Sequence, residues 1–349
     1  MAFRRQLHQS ALNVLNMCGQ KFKFRYLEHR KSPSSSYLIC GKSVDKAVGY
    51  DLNTKILTGD LAREDEILDI ARDAVVNDPD AAGITAQDED ETGKSNQQII
   101  DATKDKAVRL VTAHHSLVAP EIKPFRTARR FSISLDKFLR QRAATVHKQA
   151  EMADNSWEKR TLHREGEALN AAARQGWDFA GEVDLLEGTP VDGDKEKLDT
   201  SKPFKIRDLK TSKKSKNQAD VDSDDQLTSY CMSSMVIDGR LPDAVGLDVL
   251  VDLKSGVKPQ LLSSFRKPED IDVYLNRIAN AVSSIQQGVF VPARETDWWC
   301  SSKWCQYAPI CPYFKHPRST FFGDLSGVAD DKLPILGQPN AQPISGKNT

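Results

Sequence analysis

The sequence predicts an α/β fold in which helices flank a central sheet. Segments whose apolar residues recur at helical spacing are interleaved with short apolar runs bounded by Gly, Pro and polar residues. The chain has 349 residues, which is room for one large domain or two at about 150 residues per domain. Apolar residues make up 39% and charged residues 28%, proportions that exclude collagen-like, fully disordered and disulfide-scaffold classes.

Helical periodicity covers seven segments of the chain. Helices are predicted over residues 10–30, 36–52, 60–77, 97–116 and 136–176, then from Asp224 through QLTSYCMSSMVID, and finally over 269–287. Cys18 falls inside the first helix. Asp222 or Ser223 is expected to cap the helix that begins at Asp224, and Gly288 is expected to end the last one.

Strands are predicted between these helices. One strand is predicted at the end of the segment 120–135, where Phe131 and Ile133 alternate with polar residues. Three more are predicted over residues 177–188, 203–212 and 244–253. Residues 189–202 are expected to form a surface hairpin loop, and the polar segment 213–225 is expected to be flexible.

Two successive strands and the following helix carry the polar residues of interest. Residues i and i+2 of a strand share a face, so Asp208 and Lys210 present a carboxylate and an ammonium side by side. Asp184 lies between apolar residues of the preceding strand, where a buried strand would favour a hydrophobic residue. Gln226 and Tyr230 are spaced i, i+4 and therefore lie on one helix face.

The six cysteines are unevenly placed. Cys300, Cys305 and Cys311 form a C-x4-C-x5-C cluster among tryptophans, whereas Cys18 is far away in sequence. Six cysteines in a chain of this size are too few for a disulfide framework. The three clustered cysteines with His316 would suit a Cys₃His zinc site without Cys18. Cys40 and Cys231 are expected to be small core residues.

Charge is balanced overall but segregated along the chain. The 49 basic and 49 acidic residues cancel, yet residues 1–31 hold seven Lys or Arg against one acid. Residues 123–148 hold eight against one and residues 202–216 seven against one, whereas residues 59–94 carry twelve acids against three bases. Three basic blocks around one acidic insert fit a groove that binds a polyanion.

The order of these motifs resembles a known family. Cys18, GKSVD (41–45), GEVD (181–184), DLK (208–210), QLTSY (226–230) and the three clustered cysteines resemble a PD-(D/E)xK nuclease of the RecB type. The similarity is to the iron–sulfur branch, which includes CRISPR-associated and AddB-like exonucleases and phage-encoded relatives. It covers residues 10 to 315 and implies a mixed sheet of three to four strands flanked by helices.

The resemblance also implies a catalytic site. Asp184 and Asp208 would bind Mg²⁺ or Mn²⁺, with the carbonyl of Leu209 as a third ligand, because hard cations favour oxygen ligands. Lys210 would orient the attacking water or stabilise developing negative charge. Gln226 and Tyr230 would position the DNA backbone or support that lysine.

One position departs from the family pattern. Where the family has His in G-x-x-x-H on an early helix, this chain has Asp45. A carboxylate also binds Mg²⁺ or Mn²⁺, so Asp45 is expected to be a metal ligand with a preference for harder ions. His114 and His115, near a helix end, are expected to be surface residues favoured by the helix dipole rather than replacement ligands.

The resemblance further implies a cofactor and a domain organisation. Cys18, Cys300, Cys305 and Cys311 would hold a 4Fe-4S cluster, with structural Zn²⁺ as the alternative. The expected organisation is a nuclease domain over 1–316, with a helical insertion at 53–120, a Cys-rich staple at 289–316 and a disordered tail at 317–349.

The predicted function is therefore a metal-dependent DNA exonuclease that acts on single strands or duplex ends, in recombination, repair or phage DNA metabolism. A helicase or recombination protein is a candidate partner. The alternative is a nuclease fold that has lost catalysis and binds DNA or a protein, and a third interpretation is a zinc-stabilised interaction protein. The sequence has no apolar run of the roughly 18 residues that a membrane span needs and opens without a signal peptide, so we expect a cytoplasmic location in a bacterium or phage-infected cell.

Overall fold

The computed structural model describes residues 5–30, 34–84, 93–302 and 304–314. Contacts between Cα atoms divide the chain into two units, Met1–Ala293 and Arg294–Thr349. The predicted tail 317–349 lies outside the described residues. No helix among the described residues combines the length and the apolar character that crossing a membrane would require.

The first unit contains the regular secondary structure of the described residues apart from one short 3₁₀ turn. The strands are β1 (Arg5–Leu7), β2 (Pro124–Ser134), β3 (Trp177–Glu187), β4 (Pro190–Val191), β5 (Asp194–Leu198), β6 (Lys205–Ser212), β7 (Ala244–Leu253) and β8 (Gly256–Ser264). The helices are α1 (Gln9–Met17), α2 (Gly19–Phe22) continued by a π-helical turn (Lys23–Leu27), α3 (Ser36–Thr58), α4 (Glu64–Val76), α5 (Asn96–Leu117), α6 (Leu135–Met152), α7 (Ser156–Ala173), α8 (Gln218–Asp222), α9 (Asp225–Ile237) and α10 (Pro268–Gln287).

The described strands form a six-stranded mixed sheet and a separate small ribbon. β2 and β6 run antiparallel to β3, β7 runs parallel to β6, and β8 runs antiparallel to β7 at one edge. β1 adds a short parallel pairing to β3. β4 and β5 form the ribbon inside the predicted hairpin loop. The α/β class with a mixed sheet flanked by helices is confirmed, and the sheet is larger than the three or four strands expected.

Each face of the sheet has its own hydrophobic core. On one face, Phe179, Val183 and Ile206 belong to a core that includes residues of α6, α7, α9 and α10. On the other face, Leu185 and Leu250 pack with buried residues of α3, α4 and α5. The acidic segment after residue 59 thus contributes helices with a buried apolar stripe, and it joins the sheet through this second core.

The prediction of a continuous helix over residues 10–30 is wrong at Cys18. The chain is extended there, between α1 and α2, rather than helical. A close approach of the chain explains the interruption: the Gly19 N–H donates to the Val291 carbonyl at 2.7 Å, and a Cβ on Gly19 would lie 2.6 Å from the backbone of Phe290. Apolar periodicity continues past Cys18 and gives no sign of this distant contact.

Three smaller expectations also need correction. The cap of α9 is Asp224, whose side chain accepts the Leu227 N–H, and not Asp222 or Ser223. The segment 213–225, expected to be flexible, contains α8. The strand β8 was not predicted. By contrast, α10 ends as expected at Gly288, whose φ of 66° lies in the left-handed region that favours glycine.

Candidate active site

The sheet opens where the two strand acids would meet. β3 and β6 pair through Glu187–Lys205, Leu186–Ile206 and Leu185–Arg207, and the next pair in this register would be Asp184 opposite Asp208. The ladder stops before that pair. Instead, an Asp184 carboxylate oxygen accepts the backbone N–H of Leu209 at 2.9 Å. The two acids therefore lie side by side at the point where the strands separate.

The backbone of β3 is irregular at the same position. Val183 packs in the core on the α9 side and Leu185 in the core on the α3 side, although residues i and i+2 of a regular strand share a face. In the β2–β3 register, Ala128 would lie opposite Asp184, and it has a positive φ of 48°. A non-glycine residue in this region is strained, and such strain is concentrated at functional sites.

Asp208 is fully buried and is bound by side chains of β6 and α9. Tyr230 donates its hydroxyl hydrogen bond to Oδ1 at 3.0 Å, and Lys210 Nζ lies 2.5 Å from Oδ2. Lys210 also donates to Gln226 Oε1 at 3.1 Å, and Gln226 donates to the Tyr230 hydroxyl at 2.7 Å. The structure thus brings together the strand acid, the lysine and the two helix residues singled out from the sequence.

Repulsion between the acids is only partly offset by the lysine. Burial, followed by repulsion from Asp208 and Asp45, raises the pKa of Asp184 well above its usual value. Burial likewise raises the pKa of Asp208, against the opposing effects of Lys210 and Tyr230. Burial alone would lower the pKa of Lys210, but the neighbouring carboxylates raise it above its ordinary value. The lysine is therefore a charged donor held against an excess of negative charge.

Asp45 reaches the same region from α3. Desolvation by the surrounding atoms, followed by repulsion from Glu182 and Asp208, raises the pKa of Asp45 to about 6. Part of the Asp45 side chain nevertheless faces solvent. Asp45 and Asp184 line one small cleft together with Leu209. Asp45, which stands where the family pattern has histidine, thus places a carboxylate close to the strand acids.

The donor set fits a divalent cation. Asp208 Oδ2 has no hydrogen-bond partner among the described residues apart from its ion pair with Lys210. Burial and repulsion from Asp208 raise the pKa of both Asp45 and Asp184, and a cation of charge two would offset that repulsion. No group of three or more His, Cys, Asp or Glu side chains in the described residues is already arranged around a metal position.

The opposite face of β6 carries a second charged network, which was not predicted. Arg207 donates to Asp248 of β7 at 2.9 and 2.5 Å and to Glu187 of β3 at 3.1 Å. Lys205 lies 3.6 Å from Glu187, whose other oxygen accepts the Lys123 N–H at 3.1 Å. Neither acid is a sequence neighbour of Arg207, so only the sheet register brings them together.

The histidines near the end of α5 differ from expectation. His114 is buried rather than exposed, and burial, followed by the charges of Arg207 and His115, lowers its pKa to about 3. His115 is half-buried and lies 2.8 Å from Asp51. His114 lines the small cleft beside Asp45, but the positive charge of Arg207 nearby makes it a poor cation ligand.

The sulfur of Cys18 lies close to two backbone N–H groups. Its sulfur accepts two backbone N–H groups, from Lys21 and from Ala293, each at 3.4 Å. In the second unit, the clustered cysteines Cys300, Cys305 and Cys311 are half-buried. Their aromatic neighbours pack edge-on: Trp298 has ring centroids 5.5 Å from Trp299 and 5.3 Å from Trp304. His316, the candidate zinc ligand, lies outside the described residues.

Cys40 and Cys231 are buried, as expected for small core residues. In the helix that carries Cys231, Leu227 is buried too, but Met235 is exposed on 37% of its surface, so the buried apolar face ends before the last turn of α9.

Comparison with known families agrees with this geometry. The model of the PD-(D/E)XK nuclease superfamily matches residues 6–312, which is most of the chain. The protein belongs to that superfamily of hydrolytic nucleases, whose members generally use Mg²⁺ or Mn²⁺ and act on DNA. No curated protein has a significantly similar sequence.

Proposed function

We propose that the protein is a metal-dependent DNA exonuclease that acts on single strands or duplex ends, in recombination, repair or phage DNA metabolism. The observation that carries this proposal is the pair Asp184 and Asp208 at the opening of the sheet, with the charged Lys210 held beside them. A helicase or a recombination protein is a candidate partner in such a role.

Asp184, Asp208 and Asp45 would hold Mg²⁺ or Mn²⁺ through carboxylate oxygens, together with the carbonyl of Leu209. When bound, the cation neutralises phosphate charge and makes hydroxide available at neutral pH. The backbone N–H of Leu209 holds Asp184 in place through a bond of 2.9 Å. Because this hydrogen bond already fixes the Asp184 carboxylate, the side chain needs to rearrange less when a cation binds.

Lys210 is positioned to act on the phosphate or on the attacking water. Because Gln226 Oε1 accepts a hydrogen bond from the Lys210 ammonium at 3.1 Å, the lysine would keep this partner with a cation held by Asp208. The Tyr230 hydroxyl donates to the other Asp208 oxygen and accepts from Gln226, so it fixes the acid and the amide together. We assign Gln226 and Tyr230 to positioning and Lys210 to stabilising developing negative charge.

A basic and aromatic surface at the start of α3 suits a nucleic-acid strand. Lys106 Nζ lies 3.9 Å and Lys213 Nζ lies 5.7 Å from the centroid of the Tyr37 ring. Lys213 follows β6 directly, three residues beyond Lys210. Lysines that bind phosphates release condensed counterions, and this gain shrinks as salt rises, so we expect DNA affinity to fall steeply with salt.

The test is cleavage of end-labelled linear DNA and closed circular single-stranded DNA in Mn²⁺, Mg²⁺ or EDTA. The proposal predicts that only the linear substrate is degraded, that EDTA stops the reaction, and that the order of labelled products gives the polarity. Cleavage of the circle at the same rate would show an endonuclease instead.

One observation favours a second candidate, a nuclease fold that binds DNA or a protein without cleaving. Lys210 lies 2.5 Å from Asp208, so the acid that a cation needs is already neutralised in part. DNA binding that survives EDTA, without cleavage in any metal, would support this candidate over the nuclease.

We further propose that Cys18, Cys300, Cys305 and Cys311 hold a 4Fe-4S cluster. The two N–H groups that Cys18 accepts support this assignment, because such bonds stabilise a cluster thiolate. Anaerobic purification should give a coloured protein with stoichiometric iron and sulfide, and Cys18→Ser should lose both whereas Cys40→Ala keeps them. A colourless protein with stoichiometric zinc would instead support the Cys₃His site with His316.

A further inference from the structure

Two short strands share one edge of β3 and leave a gap between them. β2 occupies one edge of β3 over nearly its whole length, so β1 and β6 both lie on the other edge. β1 covers that edge at residues 177–179 and β6 covers it at residues 185–187. Within the described chain, no strand pairs with this edge over residues 180–184.

A cavity of about 240 Å³ lies at this gap, far more than one water needs. Its walls come from α1 on one side, α9 on the other and the uncovered part of β3. Its lining residues are His8, Gln9, Ser10, Asn13, Phe179, Ala180, Gly181, Glu182, Gln226, Ser229 and Tyr230. The cavity borders the candidate active site, because its lining residues Gln226 and Tyr230 contact Lys210 and Asp208 respectively.

The outer wall of the cavity offers hydrogen-bonding groups that the protein does not use. His8 donates from Nδ1 to the Ala180 carbonyl at 2.9 Å, which leaves Nε2 directed elsewhere. Asn13 accepts from Gln9 at 2.8 Å through its oxygen. Among the described residues, neither the Asn13 amide nitrogen nor the Ser10 hydroxyl has a hydrogen-bond partner. At the inner end, the cavity is closed by Phe179 and Tyr230, whose side chains are almost wholly buried.

We propose that this cavity, the split-edge pocket, binds the base of one unpaired nucleotide next to the scissile phosphate. The proposal rests on the proposed nuclease function and names the form of DNA that it accepts. The volume of the cavity and the polar groups at its rim suit a nucleobase, whose edge forms hydrogen bonds. Because helices wall the pocket on both sides, a base enters only after it has left its stack.

The inference predicts that one base position near the cleaved bond matters. Single-stranded oligonucleotides are prepared with one abasic nucleotide at each successive position from the end. For the parent protein, one position should lower kcat/KM about tenfold, the effect of losing one recognised base, and positions further away should have no effect.

Pocket variants should remove that sensitivity. Asn13→Ala deletes a rim donor and Ser10→Phe fills the pocket, and both residues are exposed, so both variants should fold. Each variant should lower kcat/KM for the intact strand about tenfold. The kcat/KM of each variant should then not depend on the position of the abasic nucleotide. Asn16→Ala is the matched control, because Asn16 is exposed on the same helix but does not line the pocket.

Two results would overturn the inference while leaving the nuclease intact: no abasic position affects the parent, or both pocket variants keep the parent's sensitivity. If the parent cleaves no DNA in Mn²⁺ or Mg²⁺, the proposed function fails instead. The pocket is then tested by fluorescence anisotropy in EDTA, where an intact oligonucleotide should bind the parent more tightly than its abasic counterpart. Equal binding there would also reject the inference.

Discussion

Strand β6 carries a charged network on each face, and the two networks differ in how their charge is balanced. On the α5 side, Arg207 is held between Asp248 and Glu187 and bonds to both. On the α9 side, Lys210 faces Asp208. Asp184 and, from α3, Asp45 lie close to this pair, so three carboxylates share one lysine. The Arg207 network is therefore balanced and stabilises the sheet, whereas the Lys210 network is unbalanced, with an excess of carboxylates that the proposed cation site would use.

The largest effect should come from removing the lysine of the unbalanced network. We expect Lys210→Ala to lower DNA cleavage about 10³-fold, the loss associated with a single charge-stabilising donor, while the protein stays folded. Lys205→Ala is the matched control, since Lys205 lies on the same strand but belongs to the Arg207 network. Steady-state cleavage of linear DNA in Mn²⁺ measures both. Full activity in Lys210→Ala would contradict the proposed site.

Replacing Arg207, the cationic residue of the balanced network, should instead lower the stability of the fold. Arg207→Met leaves the buried Asp248 and Glu187 without their main partner and should lower the free energy of unfolding by about 3 kcal/mol. Arg126→Ala, which breaks an exposed pair with Glu196, should cost at most about 0.5 kcal/mol. Urea unfolding followed by circular dichroism measures the difference. Equal stabilities of the two variants would show that burial of the Arg207 network has no energetic consequence.

Cation binding by the unbalanced network should weaken in acid. The pKa of Asp45 is about 6, so this carboxylate is ionised at pH 7 and about nine-tenths protonated at pH 5. We expect Mn²⁺ affinity, measured by electron paramagnetic resonance, to fall about tenfold between these values, because a protonated acid does not bind the ion. Asp45→Asn should bind more weakly at pH 7 and change less with pH. Asp65→Asn, an exposed acid on α4, should behave like the parent.

The smallest expected effect is a gain in the free energy of unfolding, opposite in sign to the loss expected for Arg207→Met. Asp184→Asn keeps an oxygen for the Leu209 N–H but removes a repelling charge, and should raise the free energy of unfolding at pH 7 by about 1 kcal/mol. A raised pKa means that the folded state binds the proton more tightly than the unfolded state, so Asp184 destabilises the fold only above its unfolded pKa of about 3.8. The gain should therefore vanish near pH 4. A loss of stability at pH 7 would contradict the charge imbalance.

The sequence predicts one of the two networks because its spacing is local. Alternation along β6 places Asp208 and Lys210 on one face, and the i, i+4 spacing places Gln226 beside Tyr230. Nothing local indicates that Arg207 would meet Asp248, because that contact depends on the parallel register of β6 and β7. Long-range register is set by packing, and sequence periodicity does not contain it.

The same limit explains the missing strands. β1 has three residues, too few for an alternation to be recognised, and β8 contains Pro259, which sequence rules read as a strand breaker. β8 tolerates this proline because it lies at the edge of the sheet and pairs with β7 alone. The gap beside β3 follows from the placement of β1 and was therefore beyond sequence analysis as well.

An uncovered strand edge is normally a hazard, since its free N–H and C=O groups can recruit a strand from another chain and start aggregation. The exposed stretch of β3 avoids this outcome because it is short, has β1 and β6 at its two ends and lies between α1 and α9. A second sheet cannot approach it, whereas a slender ligand can. The fold thereby keeps backbone groups open for recognition without the self-association that such an edge would otherwise promote.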